Sequence, residues 1–180
     1  MTISVTQALS TYQDFSNVNA EVLEAACARG TDTHRICAGI AKGIFIPKVP
    51  LYLEGRVQSY RKWFDAVVER VIFVEEEFRC TCGFDFIGHP DLGVVIKGDK
   101  GISVVDLKTP ATQSPIWKSQ LAAYWHLVEE SKQFDLPVIR CGCLMLDPNG
   151  KTARLVEYTE NSAADFNGFI AALTAWRWFK

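Results

Sequence analysis

The sequence predicts an α/β sandwich, with a mixed central β-sheet of about five strands flanked by helices. Three observations point there. Helical periodicity governs roughly the first 70 residues, three Val-, Ile- and Phe-rich segments with glycine turns follow, and the chain then alternates helix, two strands and helix.

Within residues 19–29, Val22, Leu23, Ala26 and Cys27 recur at helical spacing, and Gly30 is placed to end that helix. A second helix is expected from Asp32, whose side chain can cap it, with Ile36, Ile40 and Ile44 in one stripe. Residues 45–54, with Pro47 and Pro50, read as loop. Val57, Tyr60, Phe64, Val67 and Val68 mark a third amphipathic helix that ends near Arg70. Strands are expected over 71–78, over 84–96 with a break near Gly88, and over 102–107. Cys82-Gly83 and Lys97-Gly98-Asp99-Lys100-Gly101 supply the turns of an antiparallel meander. Pro115 suits the first turn of a helix over 114–132. Residues 138–146 and 152–157 form a hairpin across Asp147-Pro148-Asn149-Gly150, and a last helix starts near Ser162. One domain over 1–180 is expected, divided into N-terminal helices (1–70), an α/β core (71–158) and a C-terminal helix (160–180).

At 48% apolar and 22% charged residues, the composition supports a packed core and argues against disorder. A net charge of −2 excludes a global basic field, so any contact with nucleic acid must be local. No stretch approaches the roughly 20 apolar residues of a membrane helix, and no export signal is visible at the N-terminus, so a soluble, cytoplasmic protein is expected. The six cysteines are then expected to stay reduced.

The segment that carries chemistry is Gly88-His89-Pro90-Asp91, followed fifteen residues after Asp91 by Asp106-Leu107-Lys108. Asp106 and Lys108 are two apart on an expected strand and project from one face. Two facing carboxylates bury cheaply only around a cation, and oxygen ligands suit magnesium or manganese. Such an ion activates water for attack on phosphate, and Lys108 beside it can orient that water and neutralise the scissile group. Each residue taken singly has a plainer reading, as a strand-end ion pair or a turn. The charged triplet interrupting the apolar run 102–105 is harder to explain by packing.

At these residues the sequence resembles the RecB-like branch of the PD-(D/E)XK nuclease superfamily. Gly30-Thr31-Asp32-Thr33-His34 is similar to the branch's upstream Gly…His motif, Gly88-His89-Pro90-Asp91 to its Gly-x-x-Asp, Asp106-Leu107-Lys108-Thr109 to its Asp/Glu-x-Lys-Thr, and Gln120-Leu121-Ala122-Ala123-Tyr124 to its Gln-x-x-x-Tyr. The ordered set spans residues 30–124. The resemblance implies a restriction-endonuclease-like core and a metal-dependent exonuclease, or an enzyme that trims DNA ends and flaps in repair, recombination or replication. His34, Asp91 and Asp106, with the Leu107 carbonyl, would be metal ligands and Lys108 the catalytic lysine. Gln120, Tyr124 and Thr109 would contact DNA, or, for Gln120 and Tyr124, orient the site. Glu75 or Glu77, expected on one face of the first strand, would assist. The alternatives are a non-cutting module that binds DNA ends or docks on a complex, and RNA as substrate.

Cys80-Thr81-Cys82 and Cys141-Gly142-Cys143 could together bind zinc if their strands paired, but buried thiols are the commoner explanation. An iron–sulfur cluster of the kind some RecB-like nucleases carry is not expected, because no cysteine follows Cys143. His89 and His126 show no partner in sequence. The terminal Trp176, Trp178 and Phe179 are expected to dock a helix on the sheet.

Overall fold

A computed structural model describes residues 2–81, 83–110, 112–160 and 162–180. The N-terminus, for which the sequence reading offered no element, forms β1 (Ile3–Ser4) and α1 (Val5–Ser10). Ser4 and Gln7 cap α1 reciprocally: each side chain accepts the other's backbone N–H. Val5, Ala8 and Leu9 are thereby set into the core.

The two expected helices flanking Gly30 are a single one, α2 (Ala20–Ala41). Glycine ends a helix by taking the left-handed conformation, and here Gly43 does so, with φ 69°, rather than Gly30. The Thr33 hydroxyl donates to the Arg29 carbonyl across the Gly30 turn. Asn19 caps the start by accepting from the N–H groups of Glu21 and Val22, whereas Asp32 bonds Arg35 and Tyr52 and caps nothing. Ile44 lies beyond the helix and is exposed. The next helix, α3 (Leu51–Val67), starts directly after Pro50, so the loop is shorter than the prolines implied.

The expected meander exists, but it is split. Strands β2 (Val68–Val74), β5 (Leu92–Ile96) and β6 (Ile102–Lys108) pair antiparallel, while β3 (Phe78–Arg79) and β4 (Phe86–Gly88) leave to join β1 in a small separate sheet, order β1-β4-β3. The switch occurs at His89-Pro90, where proline has no N–H to continue a ladder. Helix α4 (Ile116–Ser131) then crosses over, so that β7 (Val138–Met145) lies parallel to β6, and β8 (Arg154–Glu157) closes the hairpin. The main sheet is therefore mixed and five-stranded, order β2-β5-β6-β7-β8.

Alternation along β6 divides the interior. Ile102 and Val104 enter the larger core with α1, α4 and the last helix, α5 (Ser162–Phe179), while Val105 and Leu107 face Cys37, Tyr60 and Trp63 of α2 and α3. Of the terminal aromatics only Trp176 packs against the core; Trp178 and Phe179 are exposed. Among the described residues, no helix is long and apolar enough to cross a membrane.

Candidate active site

The parity that sends Ile102 and Val104 toward α4 also sends Asp106 and Lys108 there, at the end of β6. Asp106 is only 4% exposed. Asp91 reaches it from the neighbouring strand, because β5 begins one residue later and pairs Leu92 with Val105. The Asp91 carboxylate is held at both oxygens: Oδ2 accepts the Leu107 N–H at 2.7 Å, and Oδ1 lies 3.2 Å from His34 Nδ1. The Asp91 carbonyl accepts the Glu75 N–H at 3.0 Å. Helix α2 and the ends of β2, β5 and β6 thus converge on one aspartate.

Lys108 Nζ is 2.5 Å from Asp106 Oδ2 and donates to Gln120 Oε1 at 3.0 Å. Gln120 Nε2 donates in turn to the Tyr124 hydroxyl at 3.1 Å, one turn further along α4. The ammonium also stands 5.2 Å from the centre of the Trp117 ring, a favourable place for a cation. Burial pulls the Lys108 pKa down, but Asp106 outweighs it and the amine lies above its usual value. Burial pushes the Asp106 carboxyl up, Lys108 opposes, Asp91 adds, and the net direction is up. Burial disfavours a charged His34 ring, yet Asp91 overcomes this and raises its pKa.

His34 lies in the second half of α2 rather than at a helix start. Glu75 and Glu77 do not share a strand face, since β2 ends at Val74 and Glu75 takes φ 52°. Glu75 lines a crevice with His34, Asp91 and Leu107, whereas Glu77 turns away to His89 at 3.1 Å. Gln120 and Tyr124 are buried. Thr109 is half-buried, facing Gly30 of α2. Beside Lys108 opens a hollow of about 390 Å³, lined in part by Tyr12, Phe15, Pro110 and Trp117. Nothing in the sequence signalled Tyr12 or Phe15, because they lie in a turn-rich stretch without periodicity.

The cysteine pairs do not assemble as a four-thiol site from the described residues. Cys82 lies outside them, and Cys141 Sγ sits against the Tyr158 carbonyl at 3.5 Å. Burial pushes the Cys141 thiol up to about 12 and the Cys143 thiol up as well. The sequence reading left His126 without a partner, but the fold brings Cys80, His126 and Glu130 together.

The acidic site is suited to a divalent cation. Asp106 Oδ2 is buried with the Lys108 ammonium at 2.5 Å, and the Asp91 carboxylate shares the site. An ionised carboxylate so placed asks for further positive charge. Carboxylates with one imidazole form the donor set of a hard or borderline ion. His34, Asp91 and Asp106 are spread more widely than a closed ligand shell, since among the described residues only Cys80, His126 and Glu130 bring three ligand atoms within 4.8 Å of one another.

Acidic residues set at strand ends beneath a lysine are the equipment of metal-assisted phosphodiester hydrolysis. The match of a family model fixes the class further. The PD-(D/E)XK nuclease superfamily matches residues 5–176, nearly the whole chain, and the chain belongs to it. Members of this superfamily are nucleases that use divalent metals. Among curated proteins no match was found.

Proposed function

We propose that this chain is a magnesium- or manganese-dependent DNA nuclease of the RecB-like branch, trimming free ends or flaps in repair, recombination or replication. The observation that carries the reading is the continuous set of contacts from His34 through Asp91 to the Asp106-Leu107-Lys108 strand end, and on to Gln120 and Tyr124. Those are the residues of the four sequence motifs. The hollow beside Lys108 supports an unpaired end as substrate, because Tyr12 and Phe15 offer exposed rings on which a base can stack. Buried thiols at Cys37, Cys141 and Cys143 fit a reducing cytoplasm.

His34, Asp91, Asp106 and the Leu107 carbonyl would hold the ion, which supplies a polarised water and positive charge for the phosphate. Lys108 neutralises the charge that builds on the scissile phosphate and orients the attacking water. Gln120 is a positioning residue: with its N–H committed to Tyr124, its carbonyl oxygen is fixed toward Lys108 and keeps that amine aimed. The burial of Gln120 and Tyr124 favours this orienting role over direct contact with DNA. Glu75, on the rim beside Asp91, is the assisting glutamate rather than Glu77.

The test is cleavage of linear single-stranded DNA, linear duplex, closed circular DNA and RNA in magnesium or manganese. Linear DNA should be shortened and closed circles spared. Equal rates on circles would replace end-processing by internal cutting, preference for RNA would change the substrate, and binding without cleavage would leave a DNA-end-binding module.

A further inference from the structure

Away from the acidic site, a second set of ligand-type side chains converges. Cys80 directly follows β3 in the small sheet, while His126 and Glu130 stand one turn apart on the same face of α4. His126 is rotated roughly 200° around the helix from Tyr124, so this face is not the one that addresses Lys108. The three ligand atoms lie within 4.8 Å of one another. Cys80 Sγ is 4.0 Å from His126 Nε2, which is 3.4 Å from Glu130 Oε2. Two nitrogen or oxygen ligands of one tetrahedral zinc stand about 3.4 Å apart, and a sulfur and a nitrogen about 3.6 Å apart. The first separation is met here and the second is a few tenths of an ångström wide.

The surroundings prepare each donor. Glu130 Oε1 accepts from both the N–H and the hydroxyl of Thr81 at 3.3 Å, which fixes the carboxylate. Its Oε2 is buried and faces the His126 ring at 3.4 Å. Burial pushes the Glu130 carboxyl up, but its bonds with Cys80 and Thr81 and the nearby His126 prevail and hold it below the usual range. The His126 ring is stacked on Phe166 with centroids 4.3 Å apart, which sets its plane. An ion can enter from solvent, because the side chains of His126 and Glu130 are 33% and 21% exposed.

We propose that Cys80, His126 and Glu130 form a second metal site, one that takes a borderline-soft divalent ion, zinc, and ties the small sheet to α4. The hard oxygen-rich set around Asp91 and Asp106 selects magnesium or manganese, whereas a thiolate and an imidazole select zinc. Binding releases the Cys80 proton to solvent.

The experiment uses the full chain, stripped with chelator and dialysed against limiting zinc in excess magnesium, with bound metal counted by mass spectrometry. One zinc per chain should remain, and it should remain in a variant carrying Asp91→Ala and Asp106→Ala. The cobalt-substituted protein should show a thiolate-to-metal charge-transfer band. His126→Gln and Glu130→Gln should weaken zinc binding by at least about tenfold, which is the low end of what even an outer partner of a metal costs. Cys80→Ser should abolish the band; if that variant does not fold, His126→Gln decides by zinc count. The proposal is overturned by zinc lost on removing the aspartates but kept in His126→Gln, by a cobalt spectrum without the thiolate band, or by no retained zinc. None of these readouts is cleavage, so the nuclease reading stands or falls separately.

Discussion

At Lys108 two duties meet, and they can be separated by substitution. The amine neutralises Asp106 in a site where the carboxylate is 4% exposed, and in the proposed mechanism it is also the cation offered to a scissile phosphate. Lys108→Ala should therefore lower cleavage by at least about two to three orders of magnitude, the usual loss for one electrostatic stabiliser. It should also cost the metal-free protein on the order of 3 kcal/mol, because breaking a buried pair strands the remaining charge. Adding Asp106→Asn should restore most of the stability and none of the activity, as read by urea unfolding and by cleavage. Stability unchanged in Lys108→Ala would mean that the pair is solvated and the burial argument wrong. Removing Asp91 is not neutral for the fold either, since its Oδ2 satisfies the Leu107 N–H at 2.7 Å.

Among the elements, α2 and α4 carry the site, and one glycine in each neighbourhood tests how. Gly30 is interior to α2 and has no positive φ, and a Cβ there would meet only the Thr109 hydroxyl, at 3.7 Å. Gly30→Ala should stabilise the protein by about 0.5–1 kcal/mol, as alanine does inside a helix. Had Gly30 ended a helix in the left-handed conformation, the sign would be reversed, so a thermal melt decides. Gly88 is the opposite case. A Cβ there would fall 2.6 Å from Leu127 and 2.9 Å from the Tyr124 ring, so Gly88→Ala should cost about 1–3 kcal/mol and disturb the tyrosine that holds Gln120. Cleavage should fall with it, while metal binding at the acidic site should not.

The same elements show what the chain made readable. Asp106 and Lys108 were legible because strand parity is a local rule, and Gln120 with Tyr124 because helical spacing is another. The pairing of His34 with Asp91 joins residues 57 apart and needed the resemblance to be seen at all. Strands β3 and β4, at two and three residues, are too short to carry a period, so their departure into a second sheet was invisible. Cys80, His126 and Glu130 depend on that departure and were missed with it. Gly30 misled because a glycine signals a helix end only through its φ, which sequence does not show.

For the molecule as a whole, the question is how a chain of net charge −2 holds a polyanion. No global field draws nucleic acid in, and the site alone offers phosphate no net positive charge: Lys108 faces the Asp91 and Asp106 carboxylates, and a protonated His34 brings the formal charge only to zero. A divalent ion adds two positive charges and makes the site net positive, so metal should control affinity as well as chemistry. Chelator should stop cleavage, and magnesium or manganese should restore it. Beyond that, binding of a short single-stranded oligonucleotide made resistant to hydrolysis should tighten by at least about tenfold when metal is added, roughly 1.4 kcal/mol of coupling. Fluorescence anisotropy with and without the ion measures it directly. The gain should vanish in the chain carrying Asp91→Ala and Asp106→Ala, which keeps Lys108 and the aromatic hollow but has lost both carboxylate ligands for the ion. Equal affinity in chelator and in magnesium would show that DNA is gripped by a surface remote from the acidic site, and the end-trimming reading would lose its route from fold to substrate.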